Sequence, residues 1–115
     1  SFFRWSYAAS KLVDEFYANA YKIDKNLDVC IVRFFNTVGP GQTGRYGMVI
    51  PRFINAAIKN KTIEVYGNGN QNRTFLHVTD ATDALIQIMV KNKFDTYNLG
   101  GRENIKIKNL AKKID

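Results

Sequence analysis

Tyr7 and Lys11 are the residues of this sequence whose types and spacing best suit proton-transfer chemistry. They lie in a segment without Gly or Pro. In a helix, a separation of four residues places two side chains on one face, with Cβ atoms about 5–6 Å apart. A free tyrosine has a pKa of about 10, and a neighbouring ammonium favours the phenolate form. The pair therefore predicts a phenol that takes a proton from a ligand hydroxyl.

The same spacing occurs at Tyr21 and Lys25, so spacing alone does not identify a site. Most such pairs are exposed helix contacts that contribute little to stability. Tyr7 differs because the small residues 8–10 that follow it let a flat ligand approach the helix closely. We therefore take Tyr7 and Lys11 as the candidate catalytic pair and Tyr21 as a surface residue.

Helical and extended patterns alternate along the chain. Residues 29–35 are nearly all apolar and rich in branched and aromatic types, as in a strand buried on both faces of a parallel sheet. The predicted helices cover 5–24, 48–60, 107–115 and a segment with Thr79 as its N-cap; the predicted strands cover 29–35, 63–66 and 96–99, with an extended stretch over 73–78 and turns over 36–44, 67–70 and 100–101. This order predicts an α/β layered fold.

The basic charge of the chain indicates an anionic ligand. Of the net charge of +7, +5 arises between residues 31 and 75, mostly in or near predicted turns, and such a local field attracts anions. A non-catalytic basic module that binds nucleic acid is the rival interpretation from another class. The sequence contains no known reader motif for nucleic acid, so we expect no nucleic-acid partner.

The cysteine count and the length of the apolar runs bear on location. Cys30 is the single cysteine, which excludes an internal disulfide and is typical of intracellular proteins. No apolar run approaches the roughly 20 residues that span a bilayer. No His, Cys and Asp cluster has metal-ligand spacing. The sequence therefore predicts a cytoplasmic protein with no membrane segment and no metal.

Several motifs occur in a characteristic order. A Tyr-x-x-x-Lys helix in 4–11 precedes a strand that ends in Arg-x-x-Asn-x-x-Gly-Pro at 33–40, then a helix start at 49–54, the stretch 63–80 and an Asn-Leu-Gly-Gly turn at 98–101. In this order they resemble the extended short-chain dehydrogenase/reductase family, in its NAD-dependent nucleotide-sugar epimerase/dehydratase group. Within it, the resemblance is greatest to the nucleotide-sugar epimerase and decarboxylase branches. Thr74 departs from the family, which usually has Asp at that position.

The resemblance implies an α/β fold: the C-terminal part of a Rossmann-like parallel-sheet domain plus part of a small α/β substrate-binding domain. Residues 1–40 would end the NAD-binding domain, and residues 41–115 would mainly form the substrate domain, with segments that return to the first. The Gly-rich dinucleotide turn and the catalytic Ser or Thr of the family are not in this sequence. We therefore expect this chain to be a C-terminal fragment that is inactive alone. The resemblance also implies that the full-length protein forms a homodimer.

The resemblance also implies a catalytic role for two residues. Tyr7 would be the acid/base, and Lys11 would hold the ribose hydroxyls of the cofactor while tuning the phenol, so both residues also bind NAD. Phe34 and Phe35 would lie beside the nicotinamide, at the carboxyl end of a parallel strand where ligands bind.

The implied substrate is a nucleotide sugar. Asn36 would hydrogen-bond its diphosphate, and Arg73 would clamp the same group with paired charged hydrogen bonds. Met48 and Val49, at a helix start, would offer backbone N–H groups to phosphate. The nucleoside base would lie at Glu64 and Tyr66.

Other polar residues have simpler interpretations. Arg33 is expected to brace its strand, and His77, between two apolar residues, is expected to be a packed histidine. Asp80 suits the first turn of a helix. Arg45 is a further candidate for an anion contact.

The function implied by the resemblance is that of an NAD-dependent nucleotide-sugar epimerase, similar to UDP-glucose 4-epimerases. Hydride would leave C4 of the sugar for NAD while Tyr7 takes the hydroxyl proton. A UDP-glucuronate decarboxylase and a nucleoside-diphosphate-sugar 4,6-dehydratase remain alternatives, because both begin with the same oxidation.

Overall fold

The long first helix of the chain displays the Tyr-x-x-x-Lys pair. The structure, a computed structural model, describes residues 2–44, 48–91 and 94–115. Helix α1 covers Phe2–Asp24, slightly longer than predicted, and the chain leaves it through Asn26, whose φ of 51° is left-handed. Asn tolerates this conformation better than most residues. The apolar residues Leu12, Phe16 and Ile23 of α1 are exposed, whereas Glu15, Ala18 and Lys22 are half-buried.

Strand β1, Ile31–Phe34, and strand β5, Thr96–Leu99, form a parallel pair. The register sets Ile31 opposite Thr96 and Phe34 opposite Leu99, and the Phe35 N–H continues the ladder to the Leu99 carbonyl at 2.8 Å. The predicted parallel pairing is therefore confirmed. Burial on both faces is not, because Phe34 is exposed in this chain.

A short strand was missed inside the predicted loop over 36–44. Strand β2, Thr37–Val38, pairs in parallel with β4, Leu76–His77. Two-residue strands carry almost no periodicity, so sequence patterns do not reveal them. The pairing brings the end of the β1 segment next to the stretch around Thr74.

The hydrophobic core lies in the second half of the chain. Helix α2, Val49–Ile58, packs against helix α4, Ile107–Ile114. The buried cluster consists of Phe53, Ile107 and Leu110. Strand β6, Asn104–Lys106, directly precedes α4 in the chain and pairs antiparallel with β3, Asn72–Thr74. Strand β6 was not predicted.

The strand predicted over 63–66 is wrong: that segment has no strand assignment. Ile63 and Val65 still pack against the core cluster, which explains the apolar alternation in the sequence. The carbonyls of Glu64 and Tyr66 accept side-chain hydrogen bonds from Arg52 and Gln71 at 2.9 and 3.2 Å. Side-chain donors thus satisfy these carbonyls, as the backbone N–H groups of a neighbouring strand do in a sheet.

Helix α3, Val78–Val90, begins one residue before the predicted cap. Its N-cap is His77, whose Nδ1 accepts a hydrogen bond from the Thr79 N–H at 3.3 Å. The prediction of Thr79 as the cap was wrong, and so was that of a packed histidine, because His77 is exposed. Val78 is helical rather than extended, and Asp80 lies in the first turn as expected.

The turn after β5 passes very close to another backbone segment. A Cβ on Gly101 would lie 2.0 Å from the carbonyl oxygen of Phe75, a separation that no side chain tolerates. Glycine at this position therefore allows the β5 segment and the β3–β4 connection to touch.

None of the described helices has the length and apolar character to cross a membrane.

Candidate functional site

A groove of about 630 Å³ lies between α1 and β1. Its helical wall is formed by Tyr7, Lys11, Asp14, Glu15 and Ala18. Their spacing of three or four residues places all of them on one face of a helix. The strand wall is formed by residues 31–34. The structure therefore brings the predicted catalytic pair and the end of the predicted strand to one open groove.

Tyr7 is available to a ligand, since 69% of it is exposed. The Lys11 ammonium lies 6.0 Å from the centroid of the Tyr7 ring, so the two side chains share the face that the sequence predicted. Ser10, beside them, donates its hydroxyl to the Tyr7 carbonyl at 2.8 Å. This bond stays within the helix and does not involve the phenol hydroxyl.

Asp14 is a member of the site that sequence reasoning missed. Its Oδ2 accepts a hydrogen bond from Lys11 Nζ at 2.9 Å. That bond and the carboxylate charge raise the pKa of Lys11 above its usual 10.5. Lys11 is therefore fully charged at neutral pH. Its ammonium is hydrogen-bonded to the Asp14 carboxylate and lies 6.0 Å from the centroid of the Tyr7 ring. The i, i+3 spacing of Lys11 and Asp14 was the available signal.

Arg33 was predicted to brace its strand, and it joins β1 to α1 beside the groove. It donates from Nε and Nη2 to the two carboxylate oxygens of Glu15, at 2.6 and 2.5 Å. These bonds lower the pKa of Glu15 below its usual 4.5 and raise that of Arg33. A planar guanidinium and a carboxylate joined in this way fix relative orientation as well as distance. The pair therefore links α1 to β1 along the groove.

Phe34 and Phe35 lie on opposite sides of the strand end. Phe34 lines the groove with Tyr7, whereas Phe35 packs against Gly100, where an added Cβ would lie 2.9 Å from its ring. Alternation along a strand dictates this separation. Phe34 is therefore placed to contact a ligand beside Tyr7, and a cofactor contact by Phe35 stays a prediction.

Asn36 connects the strand end to the Arg73 segment. Its φ is 42°, and its Nδ2 donates to the Thr74 carbonyl at 2.9 Å. Arg73, one residue earlier on β3, is exposed and donates from Nη1 to the Asn72 carbonyl at 2.9 Å. Asn36 thus contacts Thr74, the residue that follows Arg73, so the two predicted diphosphate contacts lie on segments that are hydrogen-bonded to each other. Their binding roles stay predictions.

Met48 and Val49 lie at the start of α2, as predicted, and their role as phosphate donors stays a prediction. Met48 is the N-cap and makes no side-chain capping bond; its sulfur accepts a contact from Gln42 Nε2 at 3.1 Å. The half-buried side chain of Val49 packs against the core cluster. Arg45, the further anion candidate, lies outside the described residues.

Glu64 and Tyr66 are both exposed on the irregular segment 61–66. The guanidinium of Arg52 lies 3.8 Å from the centroid of the Tyr66 ring and donates to the Glu64 carbonyl. Arg52 was not predicted as a site residue. Its position next to Pro51, in the first turn of α2, gives no local sign of a contact with a segment further along the chain.

The arrangement suits proton exchange with a ligand hydroxyl. A phenol and a permanent cation face an open groove, one wall of which ends in an aromatic ring. Among the described residues, no group of three or more His, Cys, Asp or Glu side chains is arranged to hold a metal ion.

Comparison with known proteins gives a consistent result. The profile of the NAD dependent epimerase/dehydratase family matches residues 3–100. The UDP-N-acetyl-alpha-D-glucosaminuronate decarboxylase of Bacillus cytotoxicus is 41% identical over 113 residues, which cover 96% of this chain and 35% of that protein.

Two solved structures show the same arrangement of elements. The UDP-N-acetylglucosamine 4-epimerase of Methanobrevibacter ruminantium M1, in complex with UDP-N-acetylmuramic acid, superposes with a TM-score of 0.87 at 30% identity over 92% of this chain and 35% of that one. The dTDP-glucose 4,6-dehydratase of Bacillus anthracis, in complex with NAD, gives 0.85 at 30% identity over 94% and 34%. The chain spans about a third of the length of these proteins.

Proposed function

Because the chain belongs to the NAD dependent epimerase/dehydratase family, we propose that the full-length protein is an enzyme that oxidises the sugar of a nucleotide sugar, with Tyr7 as the acid/base. The single observation that carries this proposal is the exposure of Tyr7 and Lys11 on one open groove that ends at Phe34. A sealed or divided pair would be unable to reach a sugar hydroxyl.

The residues of the groove fit an NAD molecule. Lys11 supplies a permanent cation for the ribose hydroxyls, and Phe34 supplies an apolar wall for a flat ring. NAD, when bound, supplies the acceptor and later the donor of a hydride. Tyr7 then moves the proton: its oxygen takes the proton of the sugar hydroxyl during oxidation and returns it during reduction.

The nucleotide part of the substrate is assigned to residues between Asn36 and Arg73. Asn36 and Arg73 lie on segments joined by the bond from Asn36 to Thr74, which supports a shared contact with the diphosphate. Met48 and Val49 at the start of α2 add backbone donors. The base is assigned to Glu64 and Tyr66. Apart from Asn36, these residues lie in the mainly substrate part that we propose over 41–115, and the cofactor part is proposed over 1–40.

Epimerisation at C4 is the overall reaction expected from the sequence, and the structural similarity to an epimerase at a TM-score of 0.87 supports it. Decarboxylation is the second candidate, favoured by the 41% identity to a decarboxylase of a UDP-linked uronic acid. A 4,6-dehydratase is supported by the dTDP-glucose enzyme. All three reactions need the same first oxidation, which is why the groove alone does not separate them.

The experiment that tests the proposal uses the full-length protein with NAD. It is incubated separately with UDP-glucose, UDP-glucuronate, UDP-N-acetylglucosaminuronate and dTDP-glucose, and the products are identified by mass spectrometry and chromatography. UDP-galactose supports the epimerase, carbon dioxide the decarboxylase and loss of water the dehydratase. If no nucleotide sugar binds and the protein instead shifts nucleic acid in a gel in a salt-dependent manner, the non-catalytic basic module replaces this proposal. Homodimerisation and a cytoplasmic location stay predictions from the sequence.

A further inference from the structure

Arg52 joins the core of the chain to the segment that we assign to the nucleoside base. Its Nη2 donates to the Glu64 carbonyl at 2.9 Å, and its guanidinium lies 3.8 Å from the Tyr66 ring centroid. On the core side the same group lies 5.5 Å from the ring of Phe53, which is 1% exposed. Arg52 is thus fixed between a buried aromatic ring and an exposed one.

The environment of this guanidinium suits stacking. Nε and Nη1 of Arg52 are buried and have no hydrogen-bond partner within the described part of the chain. Buried donors without partners cost free energy, and the contact with Tyr66 is a cation–π interaction that offsets part of this cost. The planar guanidinium therefore lies against one face of the Tyr66 ring. A lysine ammonium has no plane and does not stack on a ring in this way.

The supported ring remains open to a ligand. Tyr66 is 65% exposed although Arg52 covers part of it. The segment 61–66 has no strand partner among the described residues, so its position depends on the packing of Ile63 and Val65 against the core cluster and on the bonds from Arg52 and from Gln71 to its carbonyls. An aromatic ring held from one side is a stacking surface for a nucleobase.

We propose that Arg52 is a positioning residue of the nucleobase subsite, because it holds both the Tyr66 ring and the Glu64 carbonyl where a pyrimidine nucleoside diphosphate meets them. This inference rests on the proposed function, which supplies the class of ligand. It goes further because it says that Arg52, which contacts the core and Tyr66 rather than the ligand, determines the shape of the nucleobase subsite.

The test measures binding of UDP, with dTDP in parallel, to the full-length enzyme with NAD by calorimetry. Arg52→Met is expected to raise the Kd about tenfold, the effect of losing one stacking platform, while kcat and the KM for NAD stay unchanged. Arg52→Lys keeps the charge without the plane, so its Kd is expected to lie close to that of Arg52→Met. Lys59→Met removes a positive charge from the same shallow groove as Arg52 and is expected to leave the Kd unchanged.

Several results would overturn the inference. Wild-type affinity in folded Arg52→Met would do so, as would an equal loss in Lys59→Met, which would assign the effect to charge alone. If Arg52→Met does not fold, Tyr66→Leu replaces it, and wild-type affinity in that variant would overturn the platform. If the unaltered enzyme binds neither UDP nor dTDP, the proposed function fails and this inference fails with it; if it binds them, the variants test Arg52 alone.

Discussion

Arg33 of β1 and Glu15 of α1 are joined by two parallel hydrogen bonds of 2.6 and 2.5 Å. Glu15 lies one helical turn after Lys11 on the face that lines the groove. The pair therefore joins the helix that carries Tyr7 to the strand that ends at Phe34. Both residues line the proposed site.

The Arg33–Glu15 pair predicts a pH-dependent contribution to stability. Because Arg33 lowers the pKa of Glu15 below 4.5, the pair stabilises the fold above that value, and its contribution disappears as the pH falls through the lowered pKa. We expect Glu15→Gln to lower Tm at neutral pH and to leave Tm unchanged in strong acid, measured by calorimetry on the full-length protein. Asp28→Asn, at an exposed carboxylate without an ion pair among the described residues, is the control. A Tm difference for Glu15→Gln that is independent of pH would contradict the assignment.

Asp14 predicts how the activity depends on pH. Asp14 raises the pKa of Lys11 by hydrogen bonding and by its charge, and the carboxylate also lowers the positive potential in the groove. Asp14→Asn is therefore expected to shift the acid limb of kcat/KM to lower pH, because it removes a negative charge beside the proton-transferring pair. Asp24→Asn, at the far end of α1, is the matched control. A shift to higher pH, or equal shifts in both variants, would show that Asp14 does not act on the pair.

Gly101 predicts a steric limit on the fold. Alanine there would place its Cβ 2.0 Å from the Phe75 carbonyl oxygen, so the two segments must separate, at a cost of about 1–3 kcal/mol in unfolding free energy. Gly44→Ala is the control, because the atoms nearest to its Cβ would be 3.8 Å away. Thermal unfolding of both full-length variants provides the measurement, and equal Tm values would contradict the close approach.

The sequence predicted the elements whose signal is local. The uninterrupted segment around Tyr7 predicted α1, and the apolar run at residues 29–35 predicted a parallel strand, which pairs with Thr96–Leu99. The face shared by Tyr7 and Lys11 followed from helical geometry alone. These features depend on neighbours within a few residues, so the sequence contains them.

Features that depend on distant partners were missed or misread. The alternation at Ile63 and Val65 predicted a strand, but burial against α4 and α2 gives the same pattern without strand pairing. The cap of α3 was assigned to Thr79, whereas the ring nitrogen of His77 reaches the same N–H group. The stack of Arg52 on Tyr66 joins residues from different elements, and no local pattern predicts it.

The central claim is that Tyr7 is the acid/base of a nucleotide-sugar oxidation, and Tyr7→Phe tests it most directly. The full-length variant is mixed with NAD and the substrate identified for the unaltered enzyme, and NADH formation is followed in a single turnover. We predict a rate about 10²–10⁴-fold lower, the usual contribution of a general acid or base, with binding of both ligands retained. Tyr21→Phe, which alters the other tyrosine that precedes a lysine by four residues on α1, should keep the wild-type rate. A wild-type rate in Tyr7→Phe would contradict the claim.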